Sequence, residues 1–205
     1  MKFLHTKLLI ASLLLSSSTA FASIYNFTRV TNTNVEDLGS QLSVDITESG
    51  SNVLFTFKNN VGTPSNVAEI YFDNEATNFF SDYGIQAQNV SYQDVIINPN
   101  NPPGVSGFTA NYAVDNANNQ NALNQASEFI TIFGLLSGTN TYSQVIAAID
   151  SGAYNIAMHV RSIGIAGESD SYVIGGTPGT VPVPAAGWLL GSALLGFVGL
   201  RRRKH

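Results

Sequence analysis

The chain of 205 residues contains no cysteine, which excludes disulfides, zinc–thiolate sites and a cysteine nucleophile. Positive charge is also scarce away from the two ends. Residues 23–180 contain all 14 acidic residues of the chain and only three basic ones, Arg29, Lys58 and Arg161, so this segment has a net charge of −11. Because nucleic-acid binding draws on clustered Lys and Arg, this charge excludes DNA and RNA as partners.

Histidine and recognisable catalytic motifs are nearly absent from the same segment. Its only histidine is His159, so a Ser–His–acid arrangement would have to use that residue. The nearest string to Gly-x-Ser-x-Gly, Gly167 to Ser171, lacks the second glycine. The chain has no phosphate loop, dinucleotide fingerprint or metalloprotease helix motif. The sequence therefore predicts no catalytic residue and a protein that is not an enzyme.

The N-terminus has the pattern of a secretory signal peptide. Two lysines lie within the first seven residues, and an apolar run follows from Leu8 to Leu15. A stretch of mainly small residues then leads to Ala20-Phe21-Ala22. A basic start, a short apolar core and an Ala-x-Ala site are typical of export signals. We predict a signal peptide over residues 1–22 that signal peptidase recognises at Ala20 and Ala22 and cuts before Ser23.

The C-terminus combines a Pro-x-Pro, an uncharged stretch and a basic end. Pro182-Val183-Pro184 precedes the apolar residues 185–200, and the chain closes with Arg201, Arg202, Arg203, Lys204 and His205. Sixteen helical residues cover about 24 Å, somewhat less than a hydrocarbon core of about 30 Å. We predict a transmembrane helix over about residues 185–200. Because positive flanks stay cytoplasmic, the four cations orient it with residues 23–180 outside.

These two ends together resemble the PEP-CTERM family of exported bacterial proteins. The matching stretches are residues 181–186, 188–192, 194–196 and 201–203, with Val183 at the position where the family name has Glu. The resemblance implies that Pro182, Val183, Pro184, Ala185 and Ala186 form a sorting motif that a membrane enzyme, exosortase, recognises and processes. It also implies a Gram-negative host and a link to extracellular polysaccharide in biofilms.

The implied partners are signal peptidase, exosortase, the inner membrane at least transiently, and extracellular polysaccharide. The implied location is the cell surface or extracellular matrix, reached through a single-pass inner-membrane intermediate with a cytoplasmic C-terminus. A plain single-pass anchor that is never cleaved is the alternative interpretation of the tail.

Between the ends, residues 23–174 are predicted to form one acidic domain, followed by a flexible linker at 175–180. Leu42, Val44 and Ile46 alternate with polar residues, as in a half-buried strand. Further strands are predicted at 52–58, 67–72, 108–112, 128–136, 153–161 and 171–174. Helical spacing over Thr141–Ile149, with Thr141 or Ser143 as N-cap and Gly152 after the end, predicts one helix near 141–150. The expected class is mainly β, a β-sandwich or jelly-roll-like domain.

Two pairs of acids lie in turn-rich sequence: Asp73 with Glu75, and Glu168 with Asp170. Such oxygen-rich turns are candidates for structural calcium, although none has EF-hand spacing, and no other cofactor is expected. Two carboxylates across a cleft are also what a glycosidase needs. The sequence thus predicts an exported, non-enzymatic surface or matrix protein, with a secreted or membrane-anchored glycan hydrolase that uses a carboxylate pair as the alternative.

Overall fold

The computed structural model describes residues 22–60, 62–73, 78–95, 99–116 and 121–174. The predicted signal peptide up to residue 21, the linker 175–180 and the whole tail 181–205 lie outside the described residues. Within the described ranges no helix is both long enough and apolar enough to cross a membrane. The predicted transmembrane helix falls outside those ranges.

Ten strands and one helix form the described part of the chain. In order they are β1 Ala22–Arg29, β2 Leu42–Ser49, β3 Asn52–Asn59, β4 Asn66–Asp73, β5 Phe80–Gln88, β6 Gln93–Val95, β7 Tyr112–Asp115, β8 Ile130–Leu136, α1 Tyr142–Ser151, β9 Asn155–Ile163 and β10 Glu168–Ile174. The prediction of a mainly β domain with one short helix is confirmed.

All ten strands pair antiparallel, in the order β5-β8-β3-β2-β1-β10-β9-β4-β7-β6. Strand β1 is shared, because its residues Ala22 to Asn26 pair with β2 while Phe27 to Arg29 pair with β10. We call β5, β8, β3 and β2, on one side of β1 in the sheet, the first half-sheet. The strands on the other side of β1, namely β10, β9, β4, β7 and β6, form the second half-sheet. The two ends of the order, β5 and β6, lie next to each other, so the antiparallel sheet is nearly closed.

One core lies between the two half-sheets. In β3, Val53, Phe55 and Phe57 alternate with half-buried residues, and all three are fully buried. The ring of Phe72 on β4 in the opposite half-sheet lies 5.2 Å from that of Phe55 and 5.9 Å from that of Phe57. Burial of these large aromatic side chains holds the halves together.

The seam between β5 and the end of the second half-sheet is closed by two tyrosines. Tyr83 of β5 stacks on Tyr112 of β7 with ring centroids 4.8 Å apart and an angle of 7° between the rings. The Tyr112 hydroxyl donates to the carboxylate of Asp94 on β6, and the Tyr83 hydroxyl lies 3.1 Å from that of Tyr154.

Helix α1 begins and ends as the sequence predicts. Thr141, rather than Ser143, is the N-cap, and it forms a reciprocal capping box with Gln144. Gly152 ends the helix in the left-handed conformation at φ 75°, where a residue without Cβ is unstrained. The Tyr142 hydroxyl donates to the Ile46 carbonyl at 3.0 Å, which fixes the helix against β2.

The strand predicted over residues 108–112 is wrong in most of its length. Only Tyr112 belongs to a strand, β7, and its side chain faces the main core. Phe108 and Ala110 lie in the preceding loop and are buried in a second cluster, on the outer face of the second half-sheet. Alternating apolar residues were misleading here because a loop packed flat against a sheet also buries every second side chain.

Candidate functional site

The outer face of the second half-sheet combines charged side chains with pockets. On β4 and β9, outward positions alternate with the core residues Ile70, Phe72, Met158 and Val160. The loop of residues 99–111 crosses this face and packs Phe108 onto Tyr71 and Ala157. The loop leaves the outward polar side chains at its margins, where they border open space.

Glu69, His159 and Arg161 form a charged cluster on this face. Glu69 of β4 lies directly opposite His159 of β9, and a bulge between Val67 and Glu69 sets that register. The Glu69 carboxylate is 2.7 Å from Nδ1 of His159 and also accepts a hydrogen bond from Nη2 of Arg161. Because a carboxylate only accepts, Nδ1 carries the proton and Nε2 of a neutral His159 carries the lone pair.

Asp115 adds a second carboxylate beside Glu69. The two residues are direct cross-strand partners on β4 and β7, an arrangement in which Cβ atoms are about 4.5–5.5 Å apart. Burial, and then the charge of Glu69, raise the pKa of Asp115 above its ordinary value, against the opposing effect of Arg161. The face therefore holds a carboxylate pair whose members have different surroundings.

Two pockets lie on either side of the loop segment 99–104. One of about 100 Å³ is lined by Glu69, Tyr71, Asp115 and the loop residues Pro99 and Asn100, among others. The other, of about 150 Å³, is polar. Its lining comprises Thr31, Thr33, Pro103, Gly104, His159, Ser169, Asp170 and Ser171.

Asp170, a calcium candidate from the sequence, is buried and bonded to protein donors. Its Oδ1 accepts from the Thr31 hydroxyl at 2.9 Å and from the Thr33 amide at 2.7 Å, and its Oδ2 accepts from the Asn34 amide at 3.1 Å. The guanidinium of Arg29 lies 3.9 Å away. Asp170 thus ties the loop after β1 to β10.

The two other described calcium candidates, Asp73 and Glu168, lie on different strands. Asp73 ends β4 and accepts from the Thr109 amide at 3.3 Å, and Glu168 is exposed at the start of β10. Glu75 lies outside the described residues. The described ranges contain no group of three or more His, Asp or Glu side chains placed to hold a metal ion. Calcium at these positions stays a prediction.

A serine–histidine pair is nearly assembled on the same face. Ser171 of β10 is the direct cross-strand partner of His159, which makes Ser171, His159 and Glu69 a row across three strands. No hydrogen bond joins the Ser171 hydroxyl to His159, and within the described residues this buried oxygen has no partner. The row thus supplies a base, His159, and the acid that orients it, Glu69, but the serine hydroxyl that would act as nucleophile is not hydrogen-bonded to the base.

The predicted targeting residues lie at or beyond the limits of the described chain. Ala22 and Ser23 are the first two residues of β1, paired with Thr47 and Ile46. Ala20 lies outside the described residues. So do the sorting motif Pro182 to Ala186 and the cations Arg201 to Lys204.

Sequence reasoning missed Glu69 and Asp115. It placed His159 and Arg161 on one face of a strand. Their shared partner, Glu69, lies 90 residues before His159 in the chain. The available signal was that Glu69 is the one charge inside the otherwise apolar run 67–72. A charged residue at that position is expected to point away from the core, but the sequence does not indicate which residue it contacts.

Comparison with known proteins gives no relative: no family model, curated protein or solved structure matches this chain.

Proposed function

We propose that this protein is an exported cell-surface or extracellular-matrix protein, sorted and processed through its C-terminal tail by an exosortase. The observation that carries the proposal is the pairing of a signal-peptide pattern with the tail in which Pro182-Val183-Pro184 precedes an apolar stretch and Arg201 to Lys204. In this proposal the prolines keep the chain extended before the membrane, and the cations hold the tail's end in the cytoplasm.

The placement of the domain's ends supports this proposal. Strands β1 and β10 are antiparallel neighbours, with Phe27 opposite Ile174. Ala22, where β1 begins, and Ile174, where β10 ends, therefore leave from the same end of the domain, offset by five residues or roughly 17 Å along the sheet. This arrangement suits a domain that is attached to one membrane through both of its ends before processing.

The negative charge of the domain supports a role in the extracellular matrix. Arg29, Lys58 and Arg161 each lie within 4.0 Å of a carboxylate, so the cations of the described domain are already paired. The remaining surface charge is negative. Such a surface keeps the domain soluble and repels anionic polymers and lipids, so a link to polysaccharide would use neutral groups.

We also propose that the nearly closed sheet is a flattened, sandwich-like barrel of the jelly-roll type. The aromatic contacts between Phe55 and Phe72, from opposite half-sheets, support two packed layers.

Tail variants test the sorting proposal. We expect replacement of Pro182 and Pro184 by Ala to leave an unprocessed protein in the inner membrane, because the motif presented to exosortase is lost. Replacement of Arg201, Arg202 and Arg203 by Gln should produce the same retention or a failure to insert. A matched change in the apolar stretch outside the four matching stretches, Val198→Leu, should leave surface delivery unchanged. Normal surface delivery of the proline variant would contradict the proposal.

A glycan hydrolase is the second candidate, and one observation favours it. Glu69 and Asp115 are direct cross-strand partners, which places their Cβ atoms about 4.5–5.5 Å apart, and retaining glycosidases hold their two carboxyl groups about 5–5.5 Å apart. The raised pKa of Asp115, caused by burial and then by Glu69, is the direction required of a proton donor. Against it, the large apolar side chains exposed in the described residues are Val30, Val35 and Ile165, none of them aromatic.

The hydrolase candidate is tested with aryl glycosides. It predicts release of p-nitrophenol by the full-length protein, with Glu69→Gln and Asp115→Asn each lowering kcat at least about 100-fold. Asp45→Asn, a carboxylate paired with Lys58 on the other half-sheet, is the matched control. No activity across a panel of glycosides, or activity that survives both substitutions, excludes this pair as the catalytic machinery.

A further inference from the structure

Two side-chain groups at the polar pocket beside His159 can still form hydrogen bonds. The Ser171 hydroxyl is buried and has no partner among the described residues. Nδ1 of His159 is committed to Glu69, so in the neutral imidazole Nε2 is the ring nitrogen that can accept a hydrogen bond from another donor. An unpaired buried hydroxyl costs free energy unless something binds to it.

The backbone holds these two groups side by side. Ser171 and His159 are direct cross-strand partners, and both line the pocket of about 150 Å³. The Ser171 amide donates to the Thr31 hydroxyl at 2.7 Å, and its carbonyl accepts from the Val30 amide at 2.8 Å. With its backbone fixed at both positions, Ser171 can still turn its hydroxyl between staggered χ1 rotamers.

The charges around the pocket select an uncharged ligand. Asp170 at one side and Glu69 behind His159 repel an anion. A cation is disfavoured because the Asp170 oxygens already accept three hydrogen bonds and lie beside Arg29. What remains is a neutral group that donates a hydrogen bond to Nε2 and exchanges another with a hydroxyl.

We propose that this pocket binds a neutral ligand with two adjacent hydroxyl groups, as found on the edge of a sugar ring. One hydroxyl donates to Nε2 of His159, and its neighbour pairs with the hydroxyl of Ser171. Pro103 and Gly104 of the loop form the opposite wall. The volume far exceeds the 10–15 Å³ that one water requires, but it suits a ring edge rather than a whole oligosaccharide.

Imidazole NMR on the full-length protein tests the site directly. The protein is labelled with ¹⁵N-histidine and purified in a detergent without a sugar headgroup, and the His159 signals are identified by their loss in His159→Gln. D-glucose, D-galactose and glycerol are the probes. We expect at least one of them to shift the Nε2 signal of His159 saturably, because the ligand donates a hydrogen bond to that atom.

Ser171→Ala separates binding from folding. It should raise the Kd about tenfold, the loss of one hydrogen bond, while the melting temperature of the unliganded protein stays equal or rises because the unpaired hydroxyl is gone. Ser43→Ala, a buried strand serine away from the pocket, should leave the Kd unchanged. No shift with any probe up to 100 mM, or the same Kd in wild type and Ser171→Ala, would overturn the proposal. Neither result depends on whether the tail is processed.

Discussion

Asp170 shows how one buried carboxylate fixes a loop. Three hydrogen bonds from Thr31, Thr33 and Asn34 converge on it, and Arg29 in turn donates to the carbonyls of Asn34 and Glu36. Charged acceptors with several donors are among the strongest local contacts in a protein. This network gives Asp170 a structural role and positions Thr31 at the edge of the polar pocket.

Asp170→Asn should therefore destabilise the domain. The substitution removes the charge and turns one acceptor oxygen into a donor that faces other donors, so we expect a loss of about 2–4 kcal/mol in the free energy of unfolding. Urea denaturation at pH 7 measures it. Asp45→Asn, which breaks the half-exposed pair with Lys58, should cost less than about 1 kcal/mol. Equal losses in the two variants would contradict the assigned role.

The same residue predicts how stability depends on pH. Burial alone would raise the pKa of Asp170, but the hydrogen bonds from Thr33, Thr31 and Asn34 outweigh it and hold the pKa below its ordinary value. A carboxyl with a lower pKa in the folded state contributes stability above the unfolded value of about 3.9 and loses it as the pH falls through the folded pKa. Between about pH 4 and pH 2, wild-type stability should fall more steeply than that of Asp170→Asn, as followed by urea denaturation at each pH.

At the scale of the residue, the sequence could identify His159 and Arg161 as neighbours but not their partners. Same-face neighbours follow from the period of two in a strand. The contact with Glu69 depends on which strand pairs with β9 and on the bulge after Val67. Neither is encoded within the strand's own residues.

Among the elements, regular alternation was predictable and interrupted alternation was not. In β2, β3 and β9 apolar residues recur at every second position of the sequence over most of the strand, and these strands were predicted within two residues, as was α1 with its caps. Strand β5 was missed because bulges between Phe80 and Asp82, and between Ile85 and Ala87, shift its register twice. Strand β1 was missed because Ile24 and Tyr25 are consecutive apolar residues, which interrupts the alternation of Tyr25 and Phe27 with polar residues.

Two glycines on β5 and β8 allow aromatic rings to lie directly on the backbone. A Cβ added to Gly134 would lie 2.6 Å from the ring of Phe80, and one added to Gly84 would lie 2.7 Å from the ring edge of Phe133. The two phenylalanine rings have different surroundings. Phe80 is buried against Phe55, with ring centroids 5.8 Å apart, whereas Phe133 is only half-buried.

Gly134→Ala should thus cost more stability than Gly84→Ala. In the first variant Phe80 cannot move without disturbing the core, and we expect a loss of about 1–3 kcal/mol. In the second, Phe133 can turn toward solvent, and the loss should stay below about 1 kcal/mol. Thermal unfolding of both variants makes the comparison. A larger loss at Gly84 would mean that packing at the β5–β8 pair is organised differently.

At the scale of the whole molecule, the sequence predicted what depends on composition: a mainly β domain, strongly acidic, between two apolar ends. It could not predict closure of the sheet. That closure requires β1 to serve both half-sheets and Tyr83 to stack on Tyr112, contacts between residues far apart in the chain. The carboxylate pair and the polar pocket follow from the same long-range pairing, which explains why both were missed.

The central claim, that the tail is a processed sorting signal, is tested most directly by intact mass. The protein is recovered separately from the cell surface, the medium and the isolated inner membrane, and each form is weighed by mass spectrometry. The account predicts a surface form that begins at Ser23 and ends near Pro182 to Ala186, without Arg201 to His205. A protein that keeps those last residues in every fraction and stays in the inner membrane would contradict it, and the tail would then be a permanent anchor.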